Sequence, residues 1–200
     1  MGVFVYQAII AEVHMIYRNA VLTDIPAILE LQKKYHVATI SDLDKPDGFV
    51  TTLFTESQFE ALITQENGIA LACDEDRIVA YVMAASWAYW SKWPLFAYMI
   101  ADLPNMEYMG QTLCVENSYQ YGPICIEKAY RGTEVLKKIF DFSRAQMHKR
   151  YPILITFINH INPRSYEAHT RKLGLDVIKS FTFNQNNYYA LGYDTAKEVL

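Results

Sequence analysis

Cysteine is scarce in this chain of 200 residues: Cys73, Cys114 and Cys125 are an odd number without paired spacing. That excludes a disulfide framework, gives no sign of a zinc site, and fits a reducing cytoplasm. Excess positive charge is missing too. A formal net charge of −4, with no clustered basic stripe, leaves no general attraction to nucleic acid or to an anionic membrane. Long apolar runs are lacking. The short one in "MGVFVYQAIIAEVHM" has no basic region before it and no small-residue cleavage site after it. It also falls short of the roughly 20 residues needed to span a bilayer. Repeats and low-complexity linkers are absent, so residues 15–200 read as a single domain with residues 1–14 as an N-terminal appendage.

What is present is an ordinary globular balance, 52% apolar and 20% charged. "IYRNAV" reads as a short strand, and Thr23, Asp24 and Pro26 signal a helix start continued by Ile25, Ile28, Leu29 and Leu31. Thr55 with Gln58 reads as a capping box opening a second helix that Asn67-Gly68 ends. "IALACDEDRIVAYVMAAS" is a hairpin turning at Asp74 to Arg77. From Trp87 to Gln120 the pattern dissolves into a Trp-, Tyr- and Met-rich segment, with a short helix expected around Leu95 to Ala101. Its aromatics either pack a core edge or line an acceptor pocket, with Trp87, Trp90, Trp93 and Tyr98 as the wall.

Regularity returns with a strand at Tyr121 to Ile126 and a helix from about Glu134 to Lys149, apolar at Val135, Leu136, Ile139, Phe140 and Met147. "ILITFIN" is a strand buried on both faces. Asn162-Pro163 starts another helix, Leu173-Gly174 closes it, and a last hairpin turns at Asn184 to Asn187. This order predicts an α+β fold with a mixed sheet covered by helices.

Two features bear on chemistry. Gly122 and Pro123 interrupt what should be a central strand. They mark either an edge or a bulge where backbone groups are freed for a ligand. Arg131-Gly132-Thr133 then feeds a helix N-terminus, which suits phosphate oxygens unless Thr133 is only a cap.

Together these pieces resemble the GNAT superfamily of acyl-CoA N-acetyltransferases over roughly Ile16 to Asp194. "GPICIEKAYRGTEVLKKIFDFSRAQ" looks like its pyrophosphate-loop motif and "INPRSYEAHTRKLGLDVI" is similar to its pantetheine-side motif. The resemblance implies a mostly antiparallel central sheet flanked by helices, with splayed fourth and fifth strands. It implies acetyl-CoA as cosubstrate, its pantetheine arm on the fourth strand at Ile124, Cys125 and Ile126. The pyrophosphate would lie on Arg131, Gly132, Thr133, Glu134, Val135 and Leu136, with Asn162 and Ser165 on the pantetheine side. The family loop pattern has small residues where Glu134 and Leu136 stand, which implies a weakened cradle.

The family's proton donor falls at His169, with Tyr166 one turn earlier in reserve, and Glu116 is a candidate base for the amine. The implied activity is direct transfer of an acetyl group to the primary amine of a small molecule or peptide. The alternative is a non-catalytic acyl-CoA sensor or interaction module on the same fold. No metal, nucleic acid or membrane partner is implied, and the chain would be a monomer or homodimer.

Overall fold

The computed structural model describes residues 15–199, so the reading of residues 1–14 lies outside the described residues. Nine strands are described: β1 (Met15–Asn19), β2 (Ile69–Asp74), β3 (Arg77–Ala85), β4 (Glu107–Tyr108), β5 (Gln111–Thr112), β6 (Ser118–Ile126), β7 (Ile153–Asn159), β8 (Asp176–Phe183) and β9 (Asn186–Asp194). Seven form one sheet in the order β1-β2-β3-β6-β7-β9-β8, and β4 and β5 form a separate ribbon. All sheet neighbours are antiparallel except β6 and β7. This is the expected mixed, mostly antiparallel sheet.

Strand alternation sorts the sheet's side chains onto two faces. Leu71, Tyr81 and Met83 face one cluster with Ile28 of α1 (Ile25–Lys34) and Phe59 of α2 (Glu56–Ala61). Ala70, Ala72, Ala80 and Ala84 face the other, where α5 (Val135–His148) sets Ile139 and Phe140 against the sheet. Small residues there let the helix approach closely, and each fully buried large side chain on α5 stabilises the fold by roughly 1.5–3 kcal/mol.

The start signals act as read. Pro26 lies in the first turn of α1, and Asp24 before it takes both Arg18 guanidinium nitrogens at 2.7 and 2.8 Å. The capping box at α2 is formed: Gln58 N donates to Thr55 Oγ1 at 3.3 Å, and Thr55 N donates to Gln58 Oε1 at 2.8 Å. Beyond α2 the helix widens over residues 62–66 and ends at Asn67 with φ +50°. Gly68 follows because the chain passes so close to β3 that a Cβ would meet the Ala84 carbonyl oxygen at 2.2 Å.

The aromatic segment forms α3 (Trp87–Trp90) and α4 (Pro94–Asp102). It corrects the pocket expectation in part. Trp87 and Trp90 are 1% and 0% exposed and belong to the core over the α1–α2 face. Large apolar rings gain more by leaving water than by waiting for a ligand. Trp93 is half-buried against the same cluster, while Tyr98 stays exposed and stacks on Phe181. Among the described residues no helix is long and apolar enough to cross a membrane.

Candidate functional site

The site begins with a fault in the sheet. β6 pairs with β7 only through Ser118, Tyr119 and Gln120, opposite Ile153, Leu154 and Ile155. On its other side, Val82 and Ala84 of β3 pair with Ile124 and Tyr121, so β6 carries one extra residue between them. That bulge is Gly122-Pro123. Pro123 has no N–H to give a ladder, and Gly122 has φ +99°, a conformation that a side chain makes costly. Past it the two strands separate, as the resemblance implied for the fourth and fifth strands of the sheet.

The separation leaves backbone groups with nowhere to go. Glu127 N donates to Val79 O of β3 at 2.8 Å. Alternation then turns Cys125 toward β3 and the N–H and C=O groups of Ile124 and Ile126 toward the gap. They open into a cavity of about 300 Å³. Its walls come from the 47–50 stretch, the outer half of β6, the start of α5, and α6 (Pro163–Glu167) with the wider turn that follows it.

Most of the expected site residues meet there. Ile124, Cys125, Ile126, Arg131, Gly132 and Leu136 line the cavity. Asn162, Ser165 and His169 line it from the α6 side. Asn162 caps α6, its Oδ1 accepting from Ser165 N at 3.1 Å, and its Nδ2 has no partner among the described residues. Lys138 N donates to Glu134 O at 3.0 Å. The amides of Val135 and Leu136 therefore have no intrahelical partner, and Val135 N donates to Thr133 Oγ1 at 3.3 Å.

Other expected residues lie outside it. Thr133 and Glu134 are exposed on the outer side of the loop, and the Val135 side chain is buried in the core. Glu134 faces Tyr17 of β1 closely enough that, after burial, its charge helps raise the tyrosine hydroxyl's pKa. Tyr166 packs on the Tyr189 ring, centroids 4.6 Å apart. Glu116 is exposed ahead of β6 and does not line the cavity.

Arg131 lines the cavity but its charge is engaged. Nε donates to Ile126 O at 2.8 Å, and Nη1 donates to Asp47 O and Gly48 O at 2.7 and 3.2 Å. The guanidinium also lies over the Tyr35 ring at 4.6 Å. Its fork holds two backbone segments together beside the cavity.

Cys125 is buried, which pushes its thiol up to about 12, so it is no nucleophile. His169 is 4% exposed. Its Nδ1 lies 2.7 Å from Ser165 O, which assigns the proton to Nδ1 and leaves Nε2 as an acceptor. Burial lowers its pKa from the usual value of about 6.5, outweighing the Ser165 hydrogen bond.

A folded-state pKa below the unfolded one gives stability that is present above about pH 6.5 and lost as pH falls through the folded value. Wild type should therefore lose stability from pH 7 toward pH 5 with a slope of up to about 1.4 kcal/mol per pH unit. His169→Gln should flatten that slope in melts across the range. An unchanged slope would place the acid sensitivity elsewhere.

The sequence reading missed the segment between α1 and α2. Tyr35, Asp47, Gly48, Phe49 and Val50 line the cavity, as do Arg164 and Lys172. The signal available was a long polar connection with the turn-rich string "SDLDKPDG", the kind of loop that usually has a function.

No protein-family model matches the chain, and no curated protein is similar to it in sequence. Solved structures are similar in fold. The yncA protein from Salmonella typhimurium, solved with acetyl-CoA, is 11% identical, with 93% of this chain and 96% of that chain covered and a TM-score of 0.60. The ribosomal-protein-S18-alanine N-acetyltransferase from Escherichia coli is 10% identical over 90% and 94%, at 0.58. The GNAT-family acetyltransferase from Streptococcus pneumoniae is 15% identical over 90% and 98%, at 0.56. The parted strands, the cavity between them and these likenesses agree: the chain has the fold of the GNAT N-acetyltransferases.

Proposed function

We propose that this protein transfers an acetyl group from acetyl-CoA to the primary amine of a small molecule or peptide, directly and without a covalent enzyme intermediate. The observation that carries this reading is the open backbone edge of Ile124 and Ile126 inside the cavity. Ile124 offers both N–H and C=O. Ile126 offers its N–H, because Arg131 already holds its carbonyl. Such an edge fits an extended arm bearing amides, and Asn162, whose Nδ2 has no partner among the described residues, lines the same cavity. Amides at the start of α5, with the positive end of its dipole, suit the pyrophosphate.

Acetyl-CoA supplies the activated acyl group. The amine nitrogen forms the new N–C bond, the C–S bond breaks, and the proton lost by nitrogen ends on sulfur. The chain's task is to align the reactants and move that proton.

Calorimetry with acetyl-CoA and desulfo-CoA, with a thiol-release assay over a panel of amines, tests the reading. Both ligands should bind and at least one amine should release thiol. Binding without release across the panel would favour the sensor, for which the substituted loop positions Glu134 and Leu136 speak. Binding of neither ligand would end both readings. Because the Glu134 side chain lies outside the cavity, Glu134→Gln should tighten CoA by less than tenfold. Loss of CoA binding in that variant would make the carboxylate a required contact.

A further inference from the structure

The connection between α1 and α2 closes on itself and then onto the cavity. Its base is pinned: Val37 N donates to Val50 O at 2.9 Å, and Val50 N to Tyr35 O at 3.0 Å. Its tip, residues 42–48, lies against Arg164, which lines the cavity, and against Lys128 on the loop that also carries Arg131. Asp47 Oδ1 lies 2.9 Å from Arg164 Nη1 on α6, and Asp47 Oδ2 lies 3.4 Å from Lys128 Nζ on the β6–α5 loop. Asp44 also pairs with Lys128. Arg131 holds the Asp47 and Gly48 carbonyls from beside them. Two carboxylates and two carbonyls thus sit among three cations, Lys128 and Arg131 from the β6–α5 loop and Arg164 from α6. Leu43 at the tip is 92% exposed, so apolar burial does not anchor it.

We propose that Lys128 and Arg164 form a side-chain phosphate subsite, and that Asp44 and Asp47 fill it as a strap until a phosphate-bearing ligand displaces them. The inference rests on the coenzyme reading and deepens it, assigning the two cations to the ligand's phosphates. A phosphate group carries at least the charge of one carboxylate and offers more acceptor oxygens, so it competes well for a guanidinium fork. The contacts are part-exposed, which makes them weak enough to exchange. Gly48, with φ +95° and open space around its Cα, permits the tip to swing on its pinned base.

The test titrates wild type and Asp47→Asn with CoA, with phosphate-free pantetheine and with inorganic pyrophosphate. Asp47→Asn removes the competing charge, so CoA and pyrophosphate should bind about fivefold to tenfold tighter, with the gain shrinking in high salt. Pantetheine affinity should stay unchanged. Arg164→Gln in the Asp47→Asn background should erase the gain.

Equal CoA affinity in wild type and Asp47→Asn, or the same gain for pantetheine, would overturn the strap. If neither protein binds CoA while pyrophosphate still discriminates between them, the coenzyme reading fails and the phosphate subsite stands. Hydrogen exchange on wild type gives a readout free of mutation. Residues 42–48 should exchange faster with CoA or pyrophosphate bound, and protection of that tip would overturn the displacement.

Discussion

Trp90→Ala is expected to cost about 3–5 kcal/mol of folding stability, read as a shift in the urea or thermal midpoint. Trp90 is 0% exposed. Phe96 stacks on it with centroids 4.7 Å apart, Tyr89 meets it edge-on at 4.9 Å, Trp93 lies at 5.6 Å and Phe54 at 6.0 Å. Removing the indole leaves a hole bounded by aromatic rings from α3, α4, the turn between them and the loop before α2. The indole N–H has no partner among the described residues. Trp90→Phe therefore gives up no hydrogen bond and should retain most of the stability. Tyr98→Ala, at a residue 39% exposed, should cost far less than Trp90→Ala. Trp90→Ala with wild-type stability would show that the layer over α3 is not a packed core.

The same ring shows why one part of the molecule was legible in sequence and another was not. The helices α1, α2 and α5 could be read because their apolar residues recur at helical spacing and their ends carry local signals, such as Pro26 and the Thr55–Gln58 box. Those signals act within a turn, so no distant contact is needed to interpret them. The Gly122-Pro123 fault was legible for the same reason: a missing donor and a backbone conformation that favours glycine are properties of two residues alone.

Trp87 and Trp90 were ambiguous because an aromatic ring looks the same in sequence whether it fills a core or waits for a ligand. Only tertiary packing distinguishes the two. The structural contacts of Arg131 were hidden on similar grounds. Its charge was visible, but the carbonyls of Ile126, Asp47 and Gly48 that hold it come partly from a loop more than eighty residues earlier. The 36–50 loop itself carries no periodicity, and its place at the cavity follows from ion pairs with Lys128 and Arg164 that no local pattern encodes.

His169→Phe should lower turnover by roughly 10²–10⁴ while leaving CoA affinity nearly intact. Of the residues carried over for proton transfer, His169 alone lines the cavity; Glu116 and Tyr166 do not. With Nδ1–H donated to Ser165 O, the ring has one free position, the acceptor Nε2. Burial keeps the ring neutral at pH 7. A neutral acceptor has no proton to give at the start, so under the proposed transfer His169 would act first as a base. It would take the proton that the amine surrenders as the N–C bond forms, then donate it to the sulfur as the C–S bond breaks. This order predicts a pH profile. Because the folded-state pKa lies below about 6.5, turnover should fall on the acid side of that value, where the ring is already charged. His169→Phe should lack that acid limb as well as the rate. A purely packing role predicts lost stability with the limb retained. Equal turnover in His169→Phe would remove the residue from proton transfer.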